Sequence, residues 1–402
     1  MSALSSIRVL DLSRVLAGPW CSQNLADLGA QVIKVERPGQ GDDTRGWGPP
    51  FLKDRDGQDT REAAYYLCAN RGKQSITVDF TQPEGQALLH ELVKHCDVVL
   101  ENFKVGGLRK YQLDYDSLKA IKPDLVYCSI TGFGQTGPYA DRAGYDFMVQ
   151  GLGGLMSITG APDGEPQKVG VAVADLFTGM YATTAILAAL FHRQQSGQGQ
   201  HIDIALLDCQ LAMLANVNMN HLIGGVTPPR QGNAHANIVP YQVFATADGH
   251  VIVAVGNDSQ FARYAALCGH PEWAADERFA TNRARVQHRQ VLVPMIAEVM
   301  RTRTRDEWIA LLDAETIPCG PINTIPQAFA DPQIQHRGMR VDIPHPVAGS
   351  VPQVASPMRF SATPIQYETP PPLLGQHTAA VLQSLLGKSD EALAQLQARG
   401  VI

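Results

Sequence analysis

The feature that most constrains the fold is an alternation, over residues 1–200, of short apolar runs with helical stretches that open at proline or close at glycine. Ile7 to Leu12 (IRVLDL) has strand length, Gly18-Pro19 breaks it, and Pro19 suits the first turn of a helix. Trp20 to Leu28 carries helical spacing and stops at Gly29, a natural C-cap, before a second strand AQVIKVE at 30–36. The pattern recurs. Pro83 opens a helix through His95, the runs DVVLEN (97–102) and LVYCSITGFG (125–134) read as strands, and VGVAVAD (169–175) is strand-like. A long apolar helix, LFTGMYATTAILAALFHR, follows; Gly197 and Gly199 break it and HIDIAL (201–206) is strand again. Strands joined by helices imply a parallel sheet with covered faces, so the fold class is α/β.

The later chain changes character. The segment at 224–240, GGVTPPRQGNAHANIVP, is rich in turn formers and reads as a linker or active-site loop. YQVFATADGHVIVAVG predicts a hairpin turning at Asp248-Gly249, and helices follow at about 258–268, 283–300 and 304–314. From about 331 the chain is proline-rich, with helices at 376–387 and 389–398. The expected organisation is a large α/β domain over 1–200, a linker helix region at 201–225, a small α+β domain at 226–330, and a linker with C-terminal helices returning to the large domain at 331–402.

Composition removes several functions. A net charge of −6 does not suit nucleic-acid binding, which needs a basic face. The seven cysteines form no C-x-x-C pair, which argues against a zinc ribbon, and their odd, scattered placement fits a reducing compartment. The N-terminus lacks a secretory pattern and no uninterrupted apolar run reaches the ~18 residues of a bilayer span. The expectation is a cytoplasmic protein with no membrane partner and no bound metal. P-loop, G-x-G-x-x-G, H-E-x-x-H and G-x-S-x-G motifs are all missing. What remains is a site of carboxylates, glycine loops and arginines.

Asp175 stands where a strand-like run meets a long helix, the place where α/β sheets put ligands. It could attack an acyl carbonyl, or it could simply cap the helix; spacing alone favours the cap. Thr131–Gly134 and Gly151–Gly154 could bring backbone N–H groups to a thioester oxygen or phosphate, or could be ordinary turns. Arg14, Lys34, Arg37, Arg45, Arg71, Lys73 and Arg142 could each meet an anion or be solvated surface charge.

The pieces taken together resemble one family. LDLSRVLAGPWCSQNLADLGAQVIKVERPGQGDDTR, YYLCANRGKQSITVD, DVVLENF, CSITGFGQTGPYADRAGYD, GVAVADLFTGMYA and PPLLGQHTAAVL are similar, in order, to segments of the class III CoA-transferases, the formyl-CoA and carnitine CoA-transferase type. The runs GDDTRGWGPPF (41–51), IVPYQVF (238–244) and PCGPIN (318–323) resemble the succinate–hydroxymethylglutarate branch, which handles glutarate and related dicarboxylates.

The resemblance implies a large Rossmann-like domain, a smaller α+β domain and an interlocked homodimer. It implies ping-pong transfer of CoA from an acyl-CoA, succinyl-CoA for this branch, to a carboxylate, with coenzyme A a substrate and no permanent cofactor. Asp175 matches the family nucleophile, which forms an anhydride and then an aspartyl-CoA thioester. Val15, Leu16, Arg37, Asn70, Arg71, Lys73, Asn102, Phe103 and Arg142 match positions along the coenzyme. Gln231, Gly232 and Asn233 fall in a glycine-rich loop over the acyl group. For a distal carboxylate, Arg45, Arg71, Arg142 and Arg230 are open alternatives, with His235 a weaker one. Racemases of this fold carry histidine where Tyr145 stands, and a tyrosine is a poor base near neutral pH. A non-catalytic acyl-CoA binder on the same fold is the remaining rival.

Overall fold

The computed structural model describes residues 2–402, and the chain divides into two units. The first comprises the chain through Gly154, Val169–Leu214 and Gln333–Ile402; the second comprises Leu155–Lys168 and Ala215–Pro332. Residues 155–168, which the sequence places in the large domain, thus belong to the second unit, and 201–214 belong to the first.

The first unit is built on six parallel strands. Across the sheet they run Lys73–Thr77, Gln31–Glu36 (β2), Arg8–Asp11 (β1), Val98–Glu101, Val126–Thr131 and Gln200–Ala205. Numbered among themselves, that is the order 3-2-1-4-5-6 of a doubly wound fold, whose direction reverses between β1 and Val98–Glu101. Side chains alternate across the strands. Leu10, Ile33, Val99 and Tyr127 join one core with the helix Pro83–Val93 and the C-terminal helices Thr378–Leu386 and Asp390–Ala398. Val9, Val32, Val98 and Cys128 join the other, with the helix Ala17–Asp27 (α1) and the helix Val173–Ser196.

Three readings change. VGVAVAD is not a strand: the helix already begins at Val173, because acceptors from elsewhere in the chain satisfy its first N–H groups. Lys73–Thr77 is a buried strand that its polar sequence hides. Within the proline-rich tail, Arg340–His345 and Gly349–Val354 pair antiparallel as a two-stranded ribbon, where every strand is an edge and proline is tolerated.

Helix Val173–Ser196 is long and apolar enough to cross a membrane, yet half of its apolar window is buried within the protein, as in a core helix. The seven cysteines are free.

The second unit has its own core around Phe261, Tyr264, Trp308 and Ile296. Its antiparallel sheet orders Cys319–Pro321, His250–Ala254 and Tyr241–Ala245, with the expected turn at Asp248-Gly249 fastened by Thr246 N donating to the Gly249 carbonyl at 2.9 Å.

Candidate active site

A cavity of about 670 Å³ opens in the first unit at the carboxyl ends of β1 and Val98–Glu101, where the strand order reverses. Val15, Leu16 and Arg37 line it, as do Asn102, Phe103, Arg142, Tyr145 and Asp175. These eight sequence candidates therefore meet in one place. Arg14 and Lys34 also line it, but they are paired to Asp43 and Asp42, each at 2.8 Å.

Asp175 is the third residue of helix Val173–Ser196, which starts after Ala172, so it is not the cap. The capping is done from a distance. Asp146, first residue of the helix Asp146–Leu152, accepts from Ala174 N at 2.8 Å and from Asp175 N at 3.3 Å. Its other oxygen accepts from Gln150 Nε2 at 2.7 Å, and Gln150 Oε1 accepts from Val169 N at 2.9 Å. The 169–175 segment is thus stitched to the neighbouring helix. The Asp175 carboxylate accepts no hydrogen bond among the described residues. Burial pushes its pKa up to about 7, with the Asp146 charge adding to the effect. Sequence reading missed Asp146, although its place after Tyr145 in RAGYD was in view.

The glycine clusters separate. Gly132 and Gly144 both line the cavity and cross backbone to backbone, since a Cβ on Gly132 would lie 2.6 Å from the Gly144 Cα. Gly153 is instead a packing glycine: a Cβ there would meet Gln210 Cγ at 2.4 Å. Tyr145, 66% exposed, lines the mouth.

Four cavity cations, Arg37, Lys104, Lys110 and Arg142, make no direct ion pair among the described residues, although Arg37 lies near enough to Asp79 to help hold its carboxyl low. Arg142 lies over Tyr139 and Phe133, with 4.5 and 5.4 Å to the ring centroids. Phe80, Phe103 and Tyr111 form an edge-to-face cluster in the same cavity. Unpaired cations beside aromatic faces suit a phosphorylated ligand with a flat ring. Lys104, Lys110, Phe80 and Tyr111 were missed; Lys104 directly follows the DVVLENF run that was singled out.

Four other candidates prove structural. Arg45 is buried, donating to Glu36 at 2.7 and 2.8 Å, to Glu62 at 2.6 Å and to the Tyr66 hydroxyl at 2.6 Å. Arg71 forks onto Asp27 at 2.9 and 2.6 Å and donates to the Val354 carbonyl. Lys73 donates to Asn70 Oδ1 at 2.8 Å and the Pro19 carbonyl at 3.0 Å, while Asn70 Nδ2 donates to the Tyr66 carbonyl. None of the four lines the cavity: their donors are saturated inside the protein.

Gln231, Gly232, Asn233 and His235 lie in the second unit. There Arg289 donates to Gln231 and Gly232 N to the Gly160 carbonyl; the His235 ring packs on Tyr241 and Asn233 is exposed. Arg230 is also in this unit, donating to the carbonyls of Ala161 and Gly164. Among the described residues no cluster of three or more histidine, cysteine or acidic side chains could hold a metal.

The family model described as CoA-transferase family III matches residues 4–378. A succinate–glutarate CoA-transferase of Agrobacterium fabrum is 57% identical, covering 95% of each chain. A human succinyl-CoA:glutarate CoA-transferase is 43% identical over 99% of this chain and 90% of its own. A crystal structure of a CAIB/BAIF family protein from Brucella suis superposes with a TM-score of 0.84 at 53% identity, covering 96% of this chain and 99% of that one.

Proposed function

The chain belongs to CoA-transferase family III and moves coenzyme A from an acyl-CoA to a carboxylic acid; from that premise we propose that succinyl-CoA is the donor, glutarate or a similar dicarboxylate the acceptor, and Asp175 the covalent nucleophile. The observation that carries the nucleophile is the Asp175 carboxylate itself, facing the cavity without a hydrogen-bond donor among the described residues and pushed up to about 7. A carboxylate of raised pKa is a better nucleophile once ionised, because less solvation must be removed before it attacks. Similarity to succinate–glutarate and succinyl-CoA:glutarate CoA-transferases supports these substrates.

In the proposed cycle, Asp175 attacks the thioester carbonyl and CoA thiolate leaves, giving a mixed anhydride. The thiolate then attacks the Asp175 side-chain carbonyl, the donor acid departs as its carboxylate, and CoA is left as an aspartyl thioester. The acceptor carboxylate attacks that thioester, expelling thiolate and forming a second anhydride. Thiolate attack on the acceptor's carbonyl releases the new acyl-CoA and restores Asp175. One thioester replaces another, so the exchange is near thermoneutral. Arg37, Lys104 and Lys110 are the proposed contacts for the coenzyme's phosphates, with Phe80, Phe103 and Tyr111 for its base. Arg142 is the cavity arginine proposed for the acceptor's distal carboxylate, since Arg45, Arg71 and Arg230 are engaged elsewhere.

A homodimer is part of the proposal. On the first unit Phe147, Leu152, Val171, Phe177, Tyr181 and Phe191 are 42–63% exposed, along two packed helices and the segment before one of them. Large apolar side chains left exposed along packed helices are the kind of surface a partner subunit would cover.

The direct experiment incubates the protein with succinyl-CoA and glutarate, 3-hydroxy-3-methylglutarate, itaconate or malate, and reads new acyl-CoA species by mass spectrometry. New species that vanish with Asp175→Ala support the reading. Intact CoA binding with no exchange across the panel would sink the dicarboxylate assignment.

A further inference from the structure

Between β1 and α1 the chain runs Ser13-Arg14-Val15-Leu16, the last three lining the cavity, and Val15 has φ +70°. A β-branched residue in the left-handed region is strained by roughly 1–3 kcal/mol and persists only when its surroundings impose it. Here they do, peptide by peptide. Asp11 Oδ1 accepts from Ser13 N at 2.9 Å, and Lys34 Nζ donates to the Ser13 carbonyl at 3.0 Å. Asn102 brackets Arg14, accepting from its N–H at 2.9 Å and donating to its carbonyl at 2.7 Å. Asp42 Oδ1 accepts from Val15 N at 3.3 Å, and also from Thr44 N and Oγ1 at 3.0 and 2.8 Å. Asp42 Oδ2 takes the Lys34 ammonium at 2.8 Å, with both side chains wholly buried.

A buried ion pair adds little net stability over an apolar packing of similar shape, so its retention calls for another role. Immediately beyond the strained residue lie Leu16 and Ala17, which line the same cavity as Asp175 and open α1. The first N–H groups of a helix have no partner within it.

We propose that the buried Lys34–Asp42 pair is a positioning device: it locks Val15 in its left-handed conformation and thereby aims the Leu16 and Ala17 N–H groups at the acyl group attacked by Asp175. Lys34 and Asp42 act through Val15 and do not touch substrate. The catalytic part of this rests on the transferase reading, while the locking itself does not.

The test separates the two. In Asp42→Asn, hydrogen exchange at the amides of residues 14–18 accelerates at least about tenfold, while the second unit's helices are unchanged. This readout needs no turnover, so it stands even if the acid panel is silent. With turnover, kcat falls roughly 100-fold and KM for acyl-CoA stays within about threefold, as expected for misplaced transition-state donors. Adding Val15→Gly, which accepts the same φ without strain, restores about tenfold of the lost kcat. A purely structural pair predicts the contrary: kcat, KM and melting temperature deteriorate together and glycine rescues nothing. That result, or unchanged exchange at 14–18, overturns the inference. Should Asp42→Asn not fold, Thr44→Val removes one hydrogen bond to Asp42 Oδ1. It should lower kcat about fivefold, again reversibly by Val15→Gly.

Discussion

Two sets of carboxylates lie within the first unit, one beneath the cavity and one facing it, and they are buried on opposite terms. Beneath it, burial pushes Asp11 up, but Lys73, Lys34 and the hydroxyls of Ser13 and Ser22 outweigh it and hold the group below the usual carboxylate range. Asp42 is likewise pushed up by burial, and Lys34 and Thr44 outweigh this and hold it low. Facing the cavity, Asp175 is half-buried, accepts no hydrogen bond among the described residues, feels the Asp146 charge, and is pushed up to about 7. Glu101 shows that a raised value alone does not make a nucleophile. Burial pushes it up to about 7 as well, yet it accepts from Phe103 N at 2.7 Å and does not line the cavity. Partnered acids hold the loops in shape; the unpartnered acid with access is the one positioned to react.

The contrast breaks most visibly at its reactive end. Asp175→Asn keeps the size of the side chain and removes the nucleophile. Exchange between succinyl-CoA and acid should drop by at least about a thousandfold, with CoA affinity retained. Residual exchange near the wild-type rate would move the chemistry to another residue.

At the structural end, Arg45→Met leaves Glu36 and Glu62 buried without their shared cation. Losing one side of a buried pair costs about 3–5 kcal/mol, to be read as a lowered denaturation midpoint. A change under about 1 kcal/mol would mean that Arg45 is not the keystone its four side-chain contacts suggest.

The sequence made legible whatever depends on neighbours in the chain. The strands β1, β2, Val98–Glu101, Val126–Thr131 and Gln200–Ala205 declare themselves as apolar runs bounded by breakers, and their order of appearance gives the α/β class. Lys73–Thr77 escapes because its buried face carries Lys73, whose compensating charge is Asp11, sixty-two positions away. Asp175 was legible as a position but not as a conformation. The alternating valines at 169–173 mimic a strand, and what makes them end in a helix is Asp146, twenty-eight and twenty-nine positions upstream of the N–H groups it caps. Arginines were the least legible. Nothing near Arg45 in the chain reveals the Pro372 carbonyl that it also donates to, 327 positions on. A paired arginine and a waiting one look the same in one dimension.

Asp146→Asn sharpens the contrast by removing the negative charge and keeping an oxygen for the Ala174 and Asp175 N–H groups. Asp175 should then ionise at lower pH, although burial still holds it above 3.8. The acid limb of kcat/KM, expected near pH 7 in the wild type, should shift to lower pH, with kcat reduced about tenfold. An acid limb that does not move would remove Asp146 from the tuning of the nucleophile.

The smallest effect concerns stability, and its sign differs between the two regions. Asp11 and Asp42 have folded values below the unfolded ones, so the stability they contribute is present at neutral pH and is lost as pH falls through those low values. For Asp175 the folded protein binds the extra proton between about 3.8 and about 7. Its ionisation therefore erodes stability as pH rises across that window, and the loss is complete above it. Asparagine cannot ionise. Asp175→Asn should accordingly be more stable than the wild type near pH 8, by on the order of 1 kcal/mol after allowance for partial solvent access, and should lose that advantage near pH 4. Thermal melts of both proteins at the two pH values measure the difference directly. An advantage that persists unchanged at pH 4 would mean that the carboxylate is not the strained group, and that the substitution stabilises through packing.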